Sequence, residues 1–443
     1  MSGMAGLDKP KHSARIQCKT GWISRKRTLG ENPKTTWSRL KNIHVSIIFS
    51  YMTTLWHTST NLDSLIEEFT VWDDYLIDTI FLPYDIRASL AHAQMLQSIN
   101  IISEEELRLL EAWLQEILDL HKAGNFHIDP SQEDCHTAIE VFLTEKYGDV
   151  GKKIHTGRSR NDQSLTMIRL FLKDQIAISQ NHMEELIEAL SEKSSSTTPM
   201  PGYTHMQKAM PTTVGIWFAS YRDALLDQMT FFPQLQSIID QSPLGSAAGF
   251  GIENFPNDRV LSAELMGFAK VQENPLYCGL SRWLFEHNFL WVLWNFLLIL
   301  WRFNNDLLLF TTGEFSYFSL PDNMTTGSSI MPQKRNYDVL ELIRAKNSMF
   351  FGYHDQMRNL YTHLISGYQR DLQMTKTVFL SGCKIWNEII QIMTHVIQEL
   401  QIHETNLEDS MTEDLFATEA VYKLVMQWKS FRDAYKEVKM RLC

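Results

Sequence analysis

From residue 163 to 193 the apolar positions Leu165, Ile168, Leu172, Ile176, Met183, Leu186 and Leu190 recur at spacings of three, four or seven. That is the period of one apolar face on a long α-helix. The run from Ser194 to Gly202, rich in Ser, Thr and Pro, ends the pattern. Stretches of the same kind follow at 213–240, 280–312, 338–363 and 375–402, separated by short polar or Gly/Pro segments, and no alternating strand pattern of useful length competes. Five such helices predict an all-α chain built on an antiparallel long-helix bundle. So much apolar helix surface also predicts burial against copies of the same chain. The most apolar run, Phe289 to Trp301, is interrupted by Asn295 and bounded by Arg302 and Asp306. It falls short of the roughly 20 residues needed to span a bilayer and reads as a buried helix.

With 443 residues, 44% of them apolar, the chain has ample material for a large core. The pattern divides it into a basic leader over 1–51, an N-terminal helical domain over 52–156, the central bundle over 157–402 and a small C-terminal helical domain over 403–443. A net charge of -11, with no long basic stripe beyond the first fifty residues, argues against a nucleic-acid partner. Five scattered cysteines without a CxxC pair indicate neither a disulfide framework nor a zinc knuckle, which fits a reducing, cytoplasmic setting. Residues 1–51 stand apart, with ten Lys/Arg against Asp8 and Glu31, and they lack the apolar stretch of a signal peptide. Such a leader is either an organellar transit segment or an extension added by an upstream start codon. The glycines of Gly245 to Gly251 match neither GxGxxG nor a loop followed by GK[ST], so a nucleotide loop is not read there.

The candidate chemistry is concentrated in Gly327-Ser-Ser-Ile-Met-Pro-Gln-Lys-Arg-Asn336. Glycine and tandem serines make a mobile turn, and Lys334 follows Ser328 by six residues, so a loop folding back would aim both groups at one substrate atom. One group can take a carbon-bound proton while the cation holds the charge that develops on a neighbouring carboxylate. An exposed polar loop accounts for the same residue types. His155-Thr-Gly-Arg-Ser-Arg-Asn-Asp-Gln163 sets two guanidiniums and an amide before the first long helix, where anions are drawn; an elaborate N-cap explains it equally. His205, in Pro201-Gly-Tyr-Thr-His-Met-Gln207, opens the next helix and is catalytic or merely structural. Glu133, His136 and Glu140 fall on one helical face by the i, i+3, i+7 relation, but without a second histidine at ligand spacing no metal is read there.

The run Gly327 to Asn336 resembles the signature loop of the aspartase/fumarase superfamily, whose members eliminate a nitrogen or oxygen leaving group to release fumarate. Within it, His155 to Gln163, Glu133-Asp-Cys-His136 and Tyr368-Gln-Arg-Asp-Leu-Gln-Met-Thr-Lys376 resemble segments of the argininosuccinate lyases, and the likeness runs from about residue 55 to 437. Several things are then implied by resemblance. The catalytic set is Ser328, His205, Lys334 and Glu341, with Glu341 polarising His205. The substrate contacts are Ser89, His136, Arg160, Asn161, Thr204, Asn336, Tyr368, Gln373 and Lys376. No cofactor or metal is implied, and the partner is a small-molecule substrate bound at sites built from three chains of a homotetramer. Adenylosuccinate lyase is the nearer rival; a structural crystallin is the more distant one. Met52 opens Met-Thr-Thr-Leu-Trp-His, a start common in the family, which favours the misplaced start codon. Removing 1–51 is therefore expected to leave activity intact, and an inactive truncated protein would sink that expectation. Departures from the family pattern are Ala88 in place of glycine, Tyr337 after Asn336, Ser246-Ala-Ala-Gly249, and an early end after Phe431.

Overall fold

The long apolar periods fold into helices. The computed structural model describes residues 63–442, so the leader over 1–51 and the start at Met52 lie outside it. Helices run over Arg160–Lys193, Val214–Met229, Leu284–Phe310, Asp338–Tyr361 and Thr375–Glu399. The helix Arg160–Lys193 packs on Val214–Met229 and Thr375–Glu399, while Leu284–Phe310 packs on Val214–Met229, Asp338–Tyr361 and Thr375–Glu399. Their shared core includes Phe289, Phe296, Phe303, Phe350 and Trp386, all fully buried. Burying side chains of this size stabilises the fold by about 1.5–3 kcal/mol each, relative to exposure.

Asp74–Ser98 lies along Arg160–Lys193, and Glu104–Lys122 and Cys135–Tyr147 pack on Asp74–Ser98. The core is continuous from Phe81 to Leu407. A separate small cluster of Val421, Ala434 and Val438 joins Ala417–Met426 to Phe431–Leu442.

Three features differ from the helical reading. The stretch 213–240 is two helices, Val214–Met229 and Phe231–Ile239, because Pro233 cannot donate to the residue four before it and its ring crowds that carbonyl. Leu284–Phe310 has 27 residues, longer than the apolar run suggests, and passes a length and composition test for crossing a membrane. Half of its apolar window is nevertheless buried inside the protein, with Trp291 and Leu298 left exposed. Finally, Pro199–Thr204 and Gln207–Thr213 form an antiparallel hairpin where no strand was expected. Pro199, Pro201 and Pro211 fit only an edge ribbon of this kind, and a bulge follows Gly202.

Candidate active site

The first turn of Arg160–Lys193 is built by its own sequence. Ser159 Oγ accepts the Asn161 N–H at 3.2 Å, and the Asp162 carboxylate accepts the Ser159 N–H at 2.9 Å. This is the N-cap alternative realised, and it fixes where Arg160 and Asn161 stand. The second carboxylate oxygen of Asp162 accepts the N–H groups of Gly245 and Ala247, so the 245–249 loop is fastened beside Asn161. Burial pushes Asp162 up to about 6 against the pull of those backbone donors.

Behind this turn lies a buried ionic layer. The Lys376 ammonium, 3% exposed, donates to Asp78 at 2.7 Å and Asp74 at 3.2 Å. Burial opposes its charge, but Asp78 and Asp74 outweigh burial and hold it protonated above the usual lysine range. Burial, with Asp78 alongside, raises Asp74 to about 6 although Lys376 pulls the other way. His136 Nδ1 lies 2.9 Å from Asp85, and its Nε2 is buried without a partner among the described residues. Burial disfavours its imidazolium, yet Asp85 prevails and its pKa is raised. Asp134 caps the helix Cys135–Tyr147 through the Thr137 N–H. Burial works against its charge, but His136 and Arg160 bring it down to about 2. Partial burial, with Arg158 alongside, brings half-buried His155 down to about 4, and it stays neutral.

The cavity in front of this layer, about 170 Å³, is lined by His136, Arg160, Asn161, Tyr368, Gln373 and Lys376, with Asp74, Glu133, Asp134, Ser164, Arg282 and Arg370. Six residues expected from sequence thus come together from three distant segments. Several are already engaged. Arg160 donates through Nε to Asp134 at 2.7 Å and through Nη2 to Glu133 at 2.7 Å. Gln373 donates to the Val71 carbonyl at 3.1 Å and accepts from Arg370 at 3.0 Å.

The expected Glu133–His136–Glu140 face does not form. Glu133 precedes the helix at φ 66° and pairs with Arg160, while Glu140 faces His155 at 3.4 Å. Ser89 is not on the cavity lining either; it is fully buried and accepts from Arg158 Nη1 at 2.9 Å, which places it behind the site. Residues that sequence reasoning passed over include Asp74, Asp78, Asp85 and Arg282. The spacing of Asp74, Asp78 and Asp85 by four and seven marks one helical face and was a usable signal.

The other expected residues lie elsewhere. Thr326 and Asn336 exchange backbone hydrogen bonds at 3.0 and 2.9 Å and so clamp the base of the loop between them. The loop does fold back on itself. Ser328 Oγ accepts the N–H groups of Ile330 at 3.3 Å and Met331 at 3.1 Å, and Asn336 Nδ2 donates to the Gly327 carbonyl at 3.3 Å. Lys334 is exposed and has no ion pair among the described residues. Thr204 and His205 are exposed at the hairpin tip, where His205 and Met206 both take positive φ, 52° and 62°, as a two-residue type I′ turn requires. The histidine therefore crowns a turn and does not open a helix. His205 borders a different cavity of about 740 Å³, with Trp217, Tyr221, Arg302 and Asp306. Glu341 is exposed on the first turn of Asp338–Tyr361, and no His205–Glu341 hydrogen bond forms within the described residues. None of Ser328, His205, Lys334 and Glu341 lines the His136 cavity.

A family model described as Lyase matches residues 58–352. The chain is 41% identical over 386 residues to the argininosuccinate lyase of Thermotoga neapolitana, covering 87% of this chain and 97% of that protein. It is 40% identical to the argininosuccinate lyase of Xanthomonas campestris pv. campestris, over 85% of this chain and 87% of the relative. Among solved structures it resembles EDDS lyase in complex with formate, with a TM-score of 0.71 and 24% identity over 86% of this chain and 76% of that one. It also resembles class II fumarase from Schistosoma mansoni, with a TM-score of 0.66 and 17% identity over 84% and 88%. At that identity the solved structures bear on the fold alone.

Proposed function

The chain belongs to the argininosuccinate lyase family of fumarate-releasing lyases, and from that premise we propose how its residues divide the reaction. The reaction splits argininosuccinate into arginine and fumarate. A carbon-bound proton beside a carboxylate leaves, and the bond to the guanidinium nitrogen breaks. Ser328 takes the proton. A serine hydroxyl is a poor base in water, but the two backbone N–H groups on its Oγ favour the alkoxide. Lys334 and Asn336 stabilise the charge that builds on the carboxylate. His205, oriented by Glu341, delivers the proton at the leaving nitrogen. His136, Arg160, Asn161, Tyr368, Gln373 and Lys376 hold substrate, with Thr204 beside His205.

The observation that carries this division is the gathering of those six residues around one cavity, while Ser328, His205, Lys334 and Glu341 are displayed on the surface. Such a split is what a homotetramer with shared sites requires, each centre taking its loop and hairpin from neighbouring subunits. Exposed Ile216, Trp291, Leu298, Leu342 and Met349 on the bundle helices supply apolar surface for that assembly. The same reading keeps the division into 52–156, 157–402 and 403–443, and a role in arginine biosynthesis. Its setting is the cytoplasm, in keeping with free, buried Cys135, Cys278 and Cys383.

The test is to give the purified protein argininosuccinate and, separately, adenylosuccinate, following fumarate by its ultraviolet absorbance. Fumarate from argininosuccinate alone is expected. Fumarate from neither, with a folded oligomer present, overturns the catalytic reading.

A further inference from the structure

Arg282 is 4% exposed, yet its guanidinium makes no ion pair within 4.0 Å and its Nε has no hydrogen-bond partner among the described residues. It stands between the helices Pro275–Ser281 and Leu284–Phe310, where the backbone breaks at Trp283 with φ 78°. That break places it on the lining of the His136 cavity and of an adjoining one formed with Asn161, Ala247, Ala248 and Tyr368.

Its neighbours differ in one respect. Arg160 is matched by Glu133 and Asp134, Lys376 by Asp74 and Asp78, and Arg370 lies 4.0 Å from Glu133 and donates to the Thr70 carbonyl at 2.7 Å. Arg282 touches the Tyr368 ring, whose centroid lies 5.0 Å from its Cζ, and feels the Asp74 and Glu286 carboxylates only from beyond ion-pair distance. A cation over an aromatic face recovers a small part of what a buried charge loses on leaving water. Arg282 therefore lacks a carboxylate in direct contact, at a planar fork suited to bidentate contact with one.

We propose that Arg282 is a substrate-binding residue that anchors a carboxylate of the substrate, with Tyr368 holding the plane of the guanidinium. The assignment rests on the lyase reading above. Two carboxylate sources share this chemistry, the fumaryl half and the α-carboxylate of the arginine half, and product inhibition separates them.

The experiment compares the full-length enzyme with Arg282→Met in argininosuccinate turnover and in inhibition by fumarate and by arginine. Losing one partner of a desolvated charge pair raises KM by at least about thirtyfold, with kcat changed less than KM. The inhibition constant of one product rises in parallel, and its identity names the half that is bound. An unchanged KM with both inhibition constants unchanged overturns the proposal. So does a fall in kcat alone, which would mark Arg282 as structural support. If Arg282→Met does not fold, Arg282→Lys decides: a single-point ammonium raises KM, and a parental KM overturns the anchor. If the parent enzyme does not split argininosuccinate, the lyase reading fails separately. Calorimetric binding of fumarate and of arginine to parent and Arg282→Met then decides for Arg282, with equal affinities for both overturning the proposal.

Discussion

The Asp162 carboxylate accepts the Gly245 N–H at 3.0 Å, joining the first turn of one bundle helix to a loop 83 residues further along the chain. Gly245 has φ +84°, and a Cβ there would meet Asn257 Nδ2 at 2.4 Å and Arg259 Cγ at 2.8 Å, so only glycine brings its N–H to the carboxylate unstrained. Asp162→Asn leaves a buried N–H without its acceptor and is expected to cost about 1–3 kcal/mol in chemical denaturation. Because Ala247, Ala248 and Asn161 share one cavity wall, KM should rise with it. A variant with parental stability and KM would show the tie to be dispensable.

Lys376 serves buried Asp78 and half-buried Asp74, so Lys376→Met strands both. Breaking a buried pair in this way costs about 3–5 kcal/mol. The sign of its pH dependence is fixed by Asp74, already raised to about 6 mainly by burial and pushed higher once the ammonium is gone. A folded acid with a raised pKa binds more protons than the unfolded chain between 3.8 and its folded value. The deficit of the variant is therefore greatest at pH 8 and shrinks as the pH falls to 5.5. Urea melts at the two pH values measure it; equal deficits would contradict the pairing described.

His287 and His354 stack with ring centroids 4.9 Å apart, and Trp294 stacks on His354 at 5.6 Å. Burial, with His354 and Arg358 nearby, brings His287 down to about 4; burial lowers His354 as well. Below pH 6.5 the unfolded chain takes up protons that the folded pair refuses, so this contact weakens the fold as the pH falls from 6.5 towards 4. His354→Phe keeps a ring in the stack and removes the charge. Its melting temperature should fall less between pH 7.5 and 5 than that of the parent. An unchanged slope would place the acid sensitivity elsewhere.

Ser328→Ala should lower kcat at least about a hundredfold if Ser328 is the base. Binding of argininosuccinate, followed by calorimetry, should persist. Turnover at the parental rate would remove Ser328 from the mechanism.

The five bundle helices were legible because an apolar period sustained over more than twenty residues has no other fold to serve. The hairpin was not, since its prolines and threonines show no alternation and, of its two strands, Met200 and Pro201 alone are buried. His136 and Lys376 could be found by motif, but the acids that govern them could not be found by proximity: Asp85 is 51 positions from His136 and Asp78 is 298 from Lys376. Arg282 stands at the head of an apolar run and reads as a boundary charge until its missing partner is seen in three dimensions. His205 and Glu341 were named from resemblance alone, and no hydrogen bond joins them within the described residues.

The clamped loop carries a consequence for the life of the subunit. With Ile330 86% exposed between Thr326 and Asn336, the loop offers an accessible peptide to any protease that meets a solitary chain. Docking into a neighbour's centre would shield the same bonds. If the proposed assembly forms, nicking at the loop becomes a clock for it, with orphan subunits cut first and completed oligomers spared.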